Sequence, residues 1–179
     1  MKPAILRKDA RYDAQVRQLL TTLADYSDEQ LNRKPANGGW SAIQVLHHLL
    51  LVEDLSLGYV RKKLSFQPKV EKAGLSSYLR GWFVSAYLGS PLKRKAPAGV
   101  GDAHLPTFAT LADTRVRWEQ VRQAWATFFN ELPPELLDKE VYKHPFAGRL
   151  GWSQTIAFFE AHFRRHRKQA LRAVANGEV

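Results

Sequence analysis

Apolar residues recur at helical spacing in four separate segments, and no other feature constrains the fold of this chain as strongly. The first segment runs from about Asp9 to Leu31, with Tyr12, Val16, Leu19, Leu20 and Leu23 on one stripe. A breaker cluster from Asn32 to Gly39 ends it. The second runs from Ser41 to about Leu64, and Ser41 with Gln44 three residues on is the signature of a capping box. The third runs from about Leu111 to Leu132 on Trp118, Val121, Trp125, Phe128 and Leu132, and Pro133-Pro134 stops it. The fourth runs from Ser153 to about Val174, before Asn176-Gly177. The long connection from Ser65 to Thr110 carries a short amphipathic helix around Leu75–Leu88. A Pro/Gly-punctuated stretch from Ser90 to Pro106 follows, holding the basic run Leu92-Lys93-Arg94-Lys95. No strand pattern stands out. Long helices with one long crossover predict an all-α four-helix bundle, with a short extra helix between the second and third main helices. At 179 residues, one domain spanning the whole chain is expected.

The absence of cysteine excludes disulfides, thiolate metal sites and a cysteine nucleophile. Any metal must be held by nitrogen and oxygen. Lys and Arg total 27 against 17 Asp and Glu, for a net charge of +10, which fits nucleic acid, an anionic small molecule or a plain basic surface. No apolar run approaches the ~18 residues of a membrane span, and the N-terminus turns charged before a signal-peptide core develops. A cytoplasmic protein without a membrane segment is the expectation.

Of six histidines, His162 and His166 are the most informative, because i and i+4 positions share one helix face and let both rings ligate one ion. They fall on the stripe Phe159, His162, Phe163, His166, Ala170 and Ala173, away from Arg164, Arg165, Arg167, Lys168 and Arg172. Burying two imidazoles without partners would cost about 1–3 kcal/mol each, which an ion or hydrogen-bond partners would remove. His47 and His48 are adjacent and cannot share a face. His48 falls between Val45 and Val52 on the inward stripe, and His47 falls with Gln44, Asp54, Gly58 and Arg61 on the side read as outward. His48, His162 and His166 together could form a triad of neutral imidazoles that leaves a divalent ion an open position. Histidines that serve only as hydrogen-bonding groups of the core remain the plainer alternative. Gln44, Ser56 and Glu160 are candidate supporting groups, and Trp40, Tyr59, Trp82 and Trp152 candidate residues of a pocket mouth. Gly39-Trp40-Ser41 and Gly151-Trp152-Ser153 open the second and fourth helices alike, so Ser41 and Ser153 are both expected as N-caps, with the histidines at comparable depth.

Two motifs carry a family resemblance. Trp40-Ser41 followed by Val45-Leu46-His47-His48-Leu49 is similar to the Trp-Ser-x6-His-Leu helix start of the DinB/YfiT-like superfamily of metal-dependent four-helix-bundle proteins. His144-Pro145-Phe146-Ala147-Gly148-Arg149-Leu150 leading to His162-x3-His166 is similar to that family's closing helix. Leu92-Lys93-Arg94-Lys95-Ala96-Pro97 also resembles a segment of one branch. The resemblance implies zinc or nickel on His48, His162 and His166, often in a homodimer. Among its relatives are thiol S-transferases that use bacillithiol and a mycothiol-dependent isomerase. A low-molecular-weight thiol would supply the nucleophile that a cysteine-free chain lacks.

Three functions follow. The first is a metal-dependent hydrolase or thiol S-transferase acting on a small-molecule substrate. The second is a non-catalytic or metal-degenerate bundle acting through a partner. The third is a nucleic-acid binder, which the lack of a helix-turn-helix or an aromatic-basic motif argues against.

Overall fold

The computed structural model describes residues 1–90 and 97–175. Helix α1 spans Lys2–Leu23, α2 Asp28–Asn32, α3 Ala42–Ser65, α4 Leu75–Gly89, α5 Leu111–Glu131 and α6 Trp152–Ala175. Short 3-10 turns at Ala98–Val100 and Asp102–His104 follow α4, and another at Pro134–Leu136 follows α5. Helices α1, α5, α3 and α6 contact one another in that cyclic order and form the four-helix bundle, while α4 lies outside it against α6. The basic run 92–95 and the residues Asn176-Gly177 lie outside the described residues.

The first segment divides in two. Ser27 accepts from the Gln30 N–H while the Gln30 side chain accepts from the Ser27 N–H. This capping box starts a new one-turn helix where a single helix to Leu31 is expected. Helix α1 in turn begins earlier, with Pro3 in its first turn and Ile5 buried. At the start of α3 the expected capping box is present in both halves. The matching expectation for the last helix fails. Ser153 lies inside α6, and Gly151 occupies the entry, accepting from the Thr155 N–H through its carbonyl and donating to Ser77 Oγ.

One hairpin departs from the helical reading. Strand β1 (Tyr142–His144) pairs antiparallel with β2 (Gly148–Leu150) across the three residues Pro145, Phe146 and Ala147. Gly148 sits at φ +77°, the left-handed position that a three-residue hairpin loop requires. Three-residue strands are too short to show an alternating pattern. Arg80 of α4 ties the hairpin down, donating to the Arg149 carbonyl at 3.0 Å and to both oxygens of Glu140 at 2.9 Å. Gly81 lets α4 approach α6 closely, because a Cβ there would stand 2.7 Å from Gln154 Cγ.

The core is aromatic at one end, where Trp125, Phe129, Phe159 and Trp152 pack at 5.2–5.9 Å between ring centroids. Deeper between α1, α3 and α5, Arg122 is buried on two carboxylates, Asp9 and Glu53, and Tyr12 donates to Glu53. Arg122 Nη1 stands 2.8 Å from Glu53 Oε2. Burial pushes both carboxyls above their ordinary range, against the pull of the guanidinium. The two carboxylates hold Arg122 firmly charged.

Candidate metal centre

His48 comes from the second turn of α3, and His162 and His166 from the middle of α6, which packs directly on α3. The three ring centroids lie 5.1, 4.8 and 4.5 Å apart. One nitrogen from each ring falls within 4.8 Å of the others. His48 is buried, and His162 and His166 are half-buried, so the cluster opens on one side.

Hydrogen bonds fix which nitrogen is free. His48 Nδ1 lies 2.8 Å from the Val100 carbonyl, which can only accept, so Nδ1 carries the proton and Nε2 a bare lone pair. His166 Nδ1 likewise donates to Gln169 Oε1 at 2.9 Å, leaving its Nε2 unprotonated. His48 Nε2 and His162 Nε2 face each other at 3.3 Å. Two nitrogen ligands at 2.0–2.1 Å from a tetrahedral ion stand about 3.3 Å apart. The His48–His162 pair fits such an ion in spacing, and all three rings fit it in chemistry.

Electrostatics point the same way. Burial holds the His48 imidazole below its ordinary range. His162 is pushed well below by burial and then by His166 and His48 beside it. His166 is pushed down to about 3 by burial and by His48. All three rings are therefore neutral near pH 7, as ligation requires.

His47 is a correction to the outward reading. It is buried, not solvent-facing, and its Nε2 lies 3.1 Å from Thr114 Oγ1 of α5. Because α3 is sandwiched between α5 and α6, both of its adjacent histidines are covered, on opposite sides. His104 is exposed on its 3-10 turn, away from the cluster.

The candidate supporting groups serve elsewhere. Gln44 caps α3 and donates to the Pro106 carbonyl, Ser56 bonds Val52 and Tyr142, and Glu160 receives Arg11 and Gln15. The groups that orient the rings are Val100 and Gln169. Gln169 had a signal available, its i+3 spacing from His166. Val100 had none, since its backbone carbonyl arrives through the crossover.

The cluster opens into a cleft of about 2030 Å³ between α3, α4, the hairpin and α6. Trp40 covers one edge, with its ring 4.9 Å from His48 and 6.4 Å from His166, and donates through Nε1 to Asp102. Tyr59 also lines the cleft, whereas Trp82 is exposed outside it and Trp152 is buried in the core. The charged lining is one-sided. Among the described lining residues, Arg80, Lys143, Arg164, Arg165, Arg167, Lys168 and Arg172 stand against a single carboxylate, Asp102. The basic side of α6 is thus partly a wall of the cleft, where the sequence places it opposite the histidines. Arg165 also fastens that wall, donating to the Leu88 and Ser90 carbonyls at 3.2 and 2.9 Å.

Comparison with known proteins adds a family and a set of names. The model of the DinB superfamily matches residues 11–170. A protein of Oceanobacillus iheyensis named "putative metal-dependent hydrolase" is 25% identical over 153 residues, covering 84% of this chain and 74% of its own length. Proteins of the same name from Bacillus mycoides and Bacillus cereus are 25% and 26% identical over 149 residues, covering 83% of this chain and 73% of theirs. No helix among the described residues is long and apolar enough to cross a membrane.

Proposed function

This chain belongs to the DinB superfamily, and from that premise we propose that it is a metal-dependent enzyme. In this reading His48, His162 and His166 hold one zinc or nickel ion, and the substrate is an anionic small molecule. The observation that carries the reading is the convergence of three neutral imidazoles, two of them with their free nitrogens fixed by hydrogen bonds. A divalent ion held by three such rings keeps its full charge and an open position, so it supplies Lewis acidity and makes a bound water or thiol acidic near neutral pH.

The chain's own residues do the rest. Val100 and Gln169 hold two rings in one tautomer and orientation. Trp40 excludes water from one side, and the cations of α6 attract an anion into the cleft. Hydrolysis is the first reaction to test, because the relatives are named for it. Transfer to a low-molecular-weight thiol such as bacillithiol is the second, favoured by the cationic lining and by a chain with no sulfur nucleophile of its own. We also propose that two copies associate.

Elemental analysis of the purified, untagged protein beside its His162→Ala/His166→Ala variant tests the centre. The parent is expected to carry near-stoichiometric zinc or nickel and the variant none. Chelation should lower the parent's thermal midpoint, since an ion bound only to the folded state stabilises it. A parent with no metal, and no uptake on adding zinc or nickel, would refute the reading.

A further inference from the structure

His144 is a buried histidine that the cluster does not use, and the hairpin it closes decides its chemistry. The backbone N–H groups of Phe146 and Ala147 both donate to His144 Nδ1, at 3.2 and 3.1 Å. An imidazole nitrogen that accepts hydrogen bonds carries no proton, so the proton of the neutral ring is on Nε2. Protonating Nδ1 would break both bonds, and burial pushes the imidazole down to about 4. Nε2–H is therefore a donor held in one state across the neutral range.

That donor has no protein partner among the described residues. It is also not sealed off, because among the described residues the buried side-chain atoms without partners are Trp118 Nε1 and Arg122 Nε alone. The 7% of His144 that remains exposed must include Nε2, and His144 lines the cleft. Its ring meets the Phe158 ring edge-on at 4.6 Å, and Phe158 stacks on His162 at 5.6 Å. One aromatic ring thus separates the donor from the three-histidine cluster.

We propose that His144 Nε2–H is a fixed hydrogen-bond donor to the substrate, donating to a carboxylate oxygen held one aromatic ring away from the three-histidine cluster. The proposal rests on the cleft being the substrate site. A carboxylate suits the place because Lys143, Arg165 and Lys168 line the same cleft. A neutral donor adds direction that those charges lack. The loop accounts for the Nδ1 contacts alone, and substrate recognition accounts for the free Nε2.

The probe is succinate monohydroxamate, whose hydroxamate can take an ion and whose carboxylate reaches beyond it. Butyrohydroxamate has the same length without the carboxylate. Long-range ¹H–¹⁵N spectra of the zinc-loaded protein are expected to show His144 in the Nε2–H tautomer. Its Nε2 signal should move with the first probe and not with the second. A proton on Nδ1, or a bound probe that leaves Nε2 unmoved, overturns the proposal. His144→Asn keeps a side-chain oxygen for the loop N–H groups but is too short to reach the cleft. It should keep the parent's zinc content and thermal midpoint, while an advantage of about tenfold for the carboxylate probe falls to none. An undiminished advantage would assign the carboxylate to the cations of the cleft instead and overturn the proposal. If the parent takes up no zinc, the metal-centre reading fails by itself. His144 is then judged on the metal-free protein, by the same Nε2 shift with succinate.

Discussion

Gln169 does for His166 what the Val100 carbonyl does for His48, and a side chain can be replaced where a carbonyl cannot. Gln169→Leu removes the acceptor, frees the His166 ring to turn and lets its proton move to the other nitrogen. Loss of such a group is expected to weaken metal affinity about 10–100-fold with the helix intact. Competition against a chromogenic chelator measures it, and an unchanged affinity would remove Gln169 from the centre. His144 gives a pH dependence whose sign is fixed. Its imidazole lies at about 4 in the folded protein, against an ordinary value of 6.5. A depressed histidine favours the folded state above 6.5, and that stability is lost as pH falls towards 4, because the unfolded chain takes up the proton first. Metal-free parent is therefore expected to lose more thermal stability than His144→Asn between pH 6.5 and 4. The difference between the two cancels the opposite contribution of Asp9 and Glu53, whose carboxyls are raised. Parallel curves would refute it. At this scale the sequence showed which histidines face inward on α6, since i, i+4 spacing fixes a shared face. It did not show that His47 is covered, because that depends on a second helix packing on the far side of α3.

Among elements, the joint between α1, α3 and α5 is ionic where a bundle core is usually apolar. Arg122 is shared by Asp9 and Glu53, and each of the three residues comes from a different helix. Removing the cation leaves two buried carboxylates facing each other, and breaking a buried pair by deleting one partner costs about 3–5 kcal/mol. Arg122→Ala is expected to lower the unfolding free energy by that amount in a urea titration. A loss under 1 kcal/mol would show that water replaces the guanidinium. Asp9 reads in the sequence as the start of the first helix and Glu53 as one polar residue on a long helix. Helix periodicity sorts polar from apolar positions, but it carries no sign that three charges on three helices will meet. Helix starts were legible where a cap is local. The boxes at Ser27 and Ser41 are both chemical signatures within four residues, although apolar spacing running on to Leu31 hides the first. Ser153 misled because the α6 entry is anchored from α4 through Ser77, a contact 74 positions away.

For the whole molecule, one face of α4 is left uncovered by the other described residues. Leu75, Tyr78, Leu79, Trp82 and Phe83 recur at i, i+3, i+4, i+7 and i+8, and each is more than half exposed. The three aromatic side chains each bring about 150–250 Å² when covered, and with the two leucines they approach the roughly 800 Å² that each partner contributes to an ordinary interface. A second copy meeting this face is the association proposed above. Trp82→Glu is expected to shift the protein from dimer to monomer in light scattering without loss of metal. A dimer unaffected by it would place the contact elsewhere.

The sequence by itself determined the four main helices, their order and the long crossover, because those follow from spacing along a chain. It also determined the family and the inward pair His162 and His166, which sit on one helix and need no partner to share a face. Only the tertiary structure decided that His48 meets them, that Val100 and Gln169 fix which nitrogen of two rings stays free, and that the basic side of α6 doubles as a cleft wall. Each of these depends on how α3, α6 and the crossover are placed in space. Periodicity reports which way a side chain points from its own helix axis, and it is silent about what stands opposite.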